Sequence, residues 1–337
     1  MNKKILLGAV VVAGAACAGV VAMNEVDNIN SQVKVAIDSQ IEKIEMSNPD
    51  LDIEYGEIKI NIDKSVNIND ITVTSLSHNQ VVPVGDLIIN KYDYENKIPY
   101  FYDIQLNTSI NDKLISQEVN PMNKEQQKLM EVLTRIRGDN EDIDVTFKVS
   151  QEYDSELKST EQYVEVDVEN AFKFRNNTIL EKFDLDVINK FTEDLEEKVE
   201  SGQMATIQQE AMDTIGRIKL SEIYFELENK GIVKELISMS AKDAGVNEIE
   251  FKKQISKKLL NPSIQGISQE NVAEYFNIVE KFISDNEYNT IYLKMNPNFE
   301  TLMDGFNFVL MASMQGGEQS EVVEKIKERL NIEFNVK

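Results

Sequence analysis

From Ile5 to Met23 the chain carries no charged and no strongly polar side chain, only Ile, Leu, Val, Ala, Gly, Met and one Cys. A helix rising about 1.5 Å per residue needs roughly 17 to 25 such residues to cross a bilayer core of about 30 Å. The spacing therefore predicts a transmembrane anchor over residues 1–23, formed by Ile5, Leu6, Leu7, Val10, Val11, Val12, Val20 and Val21 among others. Lys3 and Lys4 lie on one flank and Glu25 and Asp27 on the other. Positive charge is retained on the cytoplasmic side, so everything beyond Met23 is expected outside the cytoplasm.

Two processing alternatives stay open. Gly14-Ala15-Ala16-Cys17 resembles the lipobox of bacterial lipoproteins, although Gly14 stands where an aliphatic residue is usual and the apolar run continues past the cysteine. Ala13-Gly14-Ala15 offers small residues to a signal peptidase. Either event would remove the spanning helix.

The charge balance narrows the partners. The whole chain carries 35 basic and 59 acidic residues, a formal charge of -24; without Lys3 and Lys4 the remainder stands at -26. Such a body repels phosphate backbones and anionic headgroups, which argues against nucleic acid and leaves membrane residence to the anchor. The single cysteine sits within the apolar run, so the body has no disulfide, cysteine nucleophile or cysteinyl metal site.

Beyond the anchor the hydrophobic period is helical and then becomes two. Val26, Ile29, Val33, Ile37, Ile41 and Ile44 recur every three or four residues, predicting an amphipathic stalk helix over 24–48 that ends before Pro49. Leu51 to Ile62 and Val66 to Val73 then alternate with a slip in each, at Gly56-Glu57 and at Asn69-Asp70. A slip would turn the apolar set to the wrong face unless a bulge absorbs it, so both are read as bulged strands. Asp86 to Ile89 and Tyr100 to Leu106 supply further strands, and a helix follows over Lys124–Arg137. Ile143 to Val149 and Val164 to Phe174 are expected to pair antiparallel with one wet face, across a polar connection.

A helix-rich remainder follows, with strands returning at Ile218 to Leu227, Thr290 to Met295 and Ile332 to Val336. The first of these slips at Ser221-Glu222, and Ile218 to Phe225 matches Val66 to Val73 in residue class, which suggests an internal repeat. Asn296-Pro297 reads as a helix start and Ser268 as a cap. The whole is an α+β chain, a curved and mainly antiparallel sheet with packed amphipathic helices, divided into a β-rich lobe at 49–184 and a helix-rich lobe at 185–337.

No P-loop, dinucleotide fingerprint, HExxH or GxSxG pattern is present. The only histidine, His78, lies in a polar turn, so histidine-based triads and ordinary zinc sites have no donors. Asp139 to Asp144 has the flavour of a calcium loop but lacks its sixth-position glycine and twelfth-position glutamate. Two stretches remain as candidate sites. Phe299, Met303, Phe306 and Leu310 on a Met-containing helix form a candidate apolar ligand groove, and Lys252, Lys253, Lys257 and Lys258 form a basic contact face. Each also reads simply as core or as a solvated helix face.

The Lys-flanked anchor, the outward helix, and Ile53-Glu-Tyr-Gly-Glu-Ile-Lys-Ile-Asn-Ile62 leading into Val66-Asn-Ile-Asn-Asp-Ile-Thr-Val73 together resemble the opening of YdgA-type bacterial envelope proteins, and more distantly AsmA-like proteins. The likeness covers roughly residues 1 to 110. It implies a single-pass protein of the bacterial inner membrane with its body in the periplasm, and no catalytic residues or cofactors. The expected function is non-enzymatic binding of lipid or another apolar ligand; the alternative is a protein-protein interaction or assembly module with an envelope partner.

Overall fold

The computed structural model describes residues 29–63, 65–77, 79–93, 96, 98–111, 124–138, 142–260, 269–285, 287–314 and 319–337. The apolar run with Cys17, together with His78, Ser268 and the first three residues of the acidic stretch at 139–144, lies outside them. Among the described residues no helix is long and apolar enough to cross a membrane.

The fold is α+β. Its strands are β1 (Leu51–Glu54), β2 (Ile58–Ile60), β3 (Val66–Ser75), β4 (Gln80–Tyr92), β5 (Phe101–Asn111), β6 (Asp142–Asp154), β7 (Ser159–Val168), β8 (Phe172–Glu181), β9 (Lys219–Asn229), β10 (Thr290–Met295) and β11 (Ile332–Val336). They form one open antiparallel sheet in the order β1-β3-β4-β5-β6-β7-β8-β9-β10-β11, with β2 also pairing β3. The helices are α1 (Ile29–Ser47), α2 (Lys124–Arg137), α3 (Leu185–Glu200), α4 (Met204–Ile215), α5 (Ile232–Asp243), α6 (Glu248–Leu260), α7 (Gln269–Ser284), α8 (Leu302–Met314) and α9 (Gln319–Leu330). The chain divides into two compact units: one runs to Glu152 and takes in Val164–Glu169, the other comprises Tyr153–Tyr163 and Asn170–Lys337.

In the first unit α1 is docked on the sheet over its C-terminal half. Ile37, Ile41 and Ile44 share one core with Leu51, Ile53, Val66, Ile68, Ile71, Val73, Leu87 and Ile89. Each such side chain contributes roughly 1.5–3 kcal/mol on leaving water. Polar ties fix the same contact: Ile53 N donates to Glu45 Oε1 at 2.8 Å, and the Tyr55 hydroxyl donates to Asp38. The helix stops where Ser47 and Asn48 turn their side chains back on the Lys43 and Ile44 carbonyls, just before Pro49.

Two of the three parity slips are bulges; the third, at Gly56-Glu57, is instead a break between β1 and β2, which keep one register against β3. On β3, Asn69 and Asp70 face the single Asp86 of β4, with Asp70 at φ 54° and its N–H donating to Asp86 Oδ1 at 2.9 Å. Gly56 lies against this bulge, where a Cβ would come within 3.1 Å of Asp70 Oδ2. β4 begins at Gln80, earlier than its alternation predicts, and it contains Pro83. Pairing of β4 with β5 starts only at Asp86, so the proline's missing donor interrupts no ladder on that side. Gly85, at φ 107°, sits so close to β5 that a Cβ would reach 2.0 Å from the Asn107 carbonyl oxygen.

In the second unit β8, β9, β10 and β11 pair in strict sequence. Ser221 is the extra residue on β9, since Leu220 faces Leu180 and Glu222 faces Ile179. One face of these strands is apolar: Phe174 stacks on Phe225 at 6.2 Å, and Tyr275 of α7 packs tilted against Phe334 at 5.7 Å. The other face is polar. Glu226, nearly fully buried, accepts from Lys337 Nζ at 2.5 Å and from the Tyr224 hydroxyl at 2.6 Å, and it pairs with Arg175. Burial alone would push the Glu226 carboxyl up, but the hydrogen bonds from Lys337, Tyr224 and Arg175 outweigh it and bring it down to about 2.

Three further sequence expectations are corrected. Val164 to Phe174 is not one strand, because Glu169–Ala171 form a turn with Asn170 at φ 57°. The polar connection before it is mostly strand, since β6 runs on to Asp154 and β7 starts at Ser159 around a four-residue turn. Pro297 does not open a helix. α8 starts at Leu302, with Thr301 as its cap: Asp304 N donates to Thr301 Oγ1 at 3.1 Å, and the Thr301 hydroxyl donates to Asp304 Oδ2 at 2.9 Å.

Candidate functional site

Four segments far apart in sequence meet around a cavity of about 460 Å³ in the second unit. The first is the turn between β6 and β7, supplying Glu156, Leu157 and Lys158. It forms because Asp154 Oδ1 accepts from the N–H groups of both Glu156 and Leu157 at 2.9 Å, which closes the hairpin without glycine or proline. The second follows β8 and supplies Lys182, Asp184, Val187 and Ile188. Phe183 N donates to the Lys158 carbonyl at 2.8 Å, joining these two walls.

The third wall is the end of α4 and the approach to β9, with Thr214, Arg217 and Ile218. Gly216 N caps back on Met212 O at 2.8 Å, and a Cβ at Gly216 would come within 2.7 Å of that oxygen, so glycine allows the tight helix end that presents Arg217. The fourth contribution is Thr301 at the start of α8, held by Leu302 N donating to Ile218 O at 2.7 Å. Leu157, Val187, Ile188 and Ile218 give the lining an aliphatic part beside its charged groups.

The charged groups at the cavity differ in how they are satisfied. Lys158 pairs with Asp184. The hydrogen bond from Lys158 is the main cause holding the Asp184 carboxyl below its ordinary value, and the same bond raises the lysine. Asp184 also caps α3, accepting from Val187 N at 3.4 Å. Lys182 Nζ donates to the Glu300 carbonyl oxygen at 3.3 Å; the neighbouring Glu181 carboxyl is held down mainly by hydrogen bonds from Lys219 and Ser221, with a smaller part from the Lys182 charge. The Arg217 guanidinium has no hydrogen-bond or ion-pair partner among the described residues.

Backbone strain also concentrates here. Six described non-glycine residues have positive φ, and four of them are Asp or Asn, whose short side chains tolerate the left-handed region. The other two are Lys158 at φ 48° and Lys182 at φ 55°, and both line the cavity. Side chains held in sparsely populated backbone conformations cluster at binding and catalytic sites.

The candidate residues from the sequence fall elsewhere. Phe299 is half-buried and packs on Phe308 at 5.5 Å beneath Gly305, where a Cβ would meet its ring at 3.1 Å. Met303 is half-buried, whereas Phe306 and Leu310 are 64% and 46% exposed. None of these four lines the cavity, although Thr301 beside them does. Lys253, Lys257 and Lys258 are exposed on α6 and Lys252 is half-buried; the other side of the helix is tied to α7 by Ser256 Oγ donating to Glu280 Oε1 at 2.7 Å. Among the described residues no three His, Cys, Asp or Glu side chains are grouped to hold a metal ion.

A family model described as "Uncharacterized protein" matches residues 165–333, half of the chain, and the chain belongs to that family. The matched span contains every wall of the cavity except the turn at Glu156 to Lys158. No curated protein matches the chain.

Proposed function

We propose that this member of the family is a non-enzymatic, membrane-tethered protein of the bacterial envelope that binds a lipid or another apolar ligand in the cavity of its second unit. The observation that carries the reading is the cavity: about 460 Å³, within the usual range of ligand pockets, lined by four aliphatic and five charged side chains. The Ile5 to Met23 run, with lysines before it and acids after it, supports tethering to the inner membrane and a periplasmic body on a curved sheet. The docking of Ile37, Ile41 and Ile44 on the sheet shortens the stalk that such a tether would have, because the helix is part of the core from Ile37 onward.

The test is native mass spectrometry of the full chain after extraction in mild detergent. A small organic species should accompany the protein and be lost in Val187→Trp, which fills the cavity from a half-exposed position. A clean spectrum for the unaltered chain overturns the reading.

A second reading, an interaction or assembly module, is favoured by α8. Phe306, Leu310 and Met311 are 64%, 46% and 59% exposed on that helix, more apolar surface than a solvated helix ordinarily shows.

A further inference from the structure

We infer that the cavity selects a singly charged anionic amphiphile, its tail against Val187, Ile188 and Ile218 and its oxyanion head on Arg217 and Lys182. The inference rests on the proposal that this cavity takes an apolar ligand, and it adds the chemistry of the head.

Lys158, Lys182 and Arg217 line the cavity against Glu156 and Asp184, an excess of one positive charge. Lys158 and Asp184 satisfy each other. That leaves Lys182, beside Glu181 and donating to the Glu300 carbonyl, and the exposed Arg217, without a hydrogen-bond or ion-pair partner among the described residues, against the lining carboxylate of Glu156. A guanidinium presents a planar fork of donors that matches a carboxylate or phosphodiester in two parallel hydrogen bonds. The left-handed backbone at Lys182 is a second and independent sign that its direction matters, since nothing in its long contact to Glu300 repays the strain.

The volume limits the tail. At about 30 Å³ per water-sized group the cavity holds on the order of fifteen such groups, which suits a medium chain.

The experiment is isothermal titration of the full chain in detergent-free nanodiscs with decanoate, decanol, decyltrimethylammonium and dihexanoyl phosphatidylglycerol, each below its micellar concentration. Decanoate or the phosphodiester lipid should bind at least tenfold more tightly than decanol, and the cation more weakly still. Whichever anion binds best identifies the head as a free carboxylate or a lipid phosphodiester. Arg217→Gln, a surface change, should lower the affinity for that anion about tenfold and leave decanol unaltered; Arg217→Lys should restore part of the loss, and Lys182→Gln should act in the same direction as Arg217→Gln. If decanol binds as tightly as both anions and Arg217→Gln changes nothing, the charge selection is wrong while the cavity reading stands. If none of the four probes binds, both fall.

Discussion

The sheet is used differently in the two units. In the first, alternate residues of β3 are almost wholly removed from water: Val66, Ile68, Ile71 and Val73 are each no more than 1% exposed, backed by α1. In the second, every residue of β8 is only half-buried, and the polar face holds its place through Arg175, Glu226 and Lys337. The first strand is fixed chiefly by apolar burial, and every methyl group counts. The second trades part of that burial for charged groups, and it is this unit that contains a cavity with charged walls. The dense core and the charged cavity are thus found in different units of the chain.

The largest effect that tests this contrast is Ile71→Ala. With 1% exposure the site cannot relax into solvent, and the change should cost about 2–5 kcal/mol in chemical denaturation. A cost under about 1 kcal/mol would mean that the first unit is not the tightly filled body described above.

Glu226→Gln comes next. The folded carboxyl sits near 2, below the ordinary 4.5, so its contribution is present above the ordinary value and is lost as pH falls from about 4.5 through about 2. The limit is roughly 3 kcal/mol at neutral pH. Acid unfolding of the unaltered chain should therefore steepen across that window, and Glu226→Gln should flatten it. An unchanged acid limb would show that the network on the polar face contributes nothing to stability.

Phe306→Ser should have the smallest effect, within about 0.5 kcal/mol by thermal unfolding, because the side chain is mostly in water already. A larger loss would move this helix face from contact surface to core.

Much of this architecture was legible in the sequence, for physical reasons that can be named. Strict periodicity located α2 over Lys124–Arg137 and β10 over Thr290–Met295, because each has a face that must be buried. The slips at Asn69-Asp70 and Ser221-Glu222 were readable as bulges, since alternation cannot change phase otherwise. The turn after Asp154 was not readable, because a side-chain carboxylate does there what glycine or proline usually does. Nor was the helix start at Thr301, where Pro297 offered a stronger but misleading signal. The cavity left no trace at all. Lys158, Lys182 and Arg217 stand singly in separate segments, and only the paths of β6 to β9 and the α4 end bring them together. The lysines on α6 are dense in sequence, whereas the cavity cations are brought together only by the fold.

The left-handed lysines set thermal tolerance against occupancy. Glycine occupies positive φ without penalty, so Lys158→Gly or Lys182→Gly removes a backbone cost that the unaltered chain carries in every folded molecule. Lys182→Gly should raise the melting temperature slightly or leave it unchanged, yet weaken capture of an anionic probe; a fall in both would show the lysine to be a structural prop. On this view the hairpin and the β8 exit are shaped by what they must hold out toward the cavity, at the expense of the more relaxed chain that a single glycine would give.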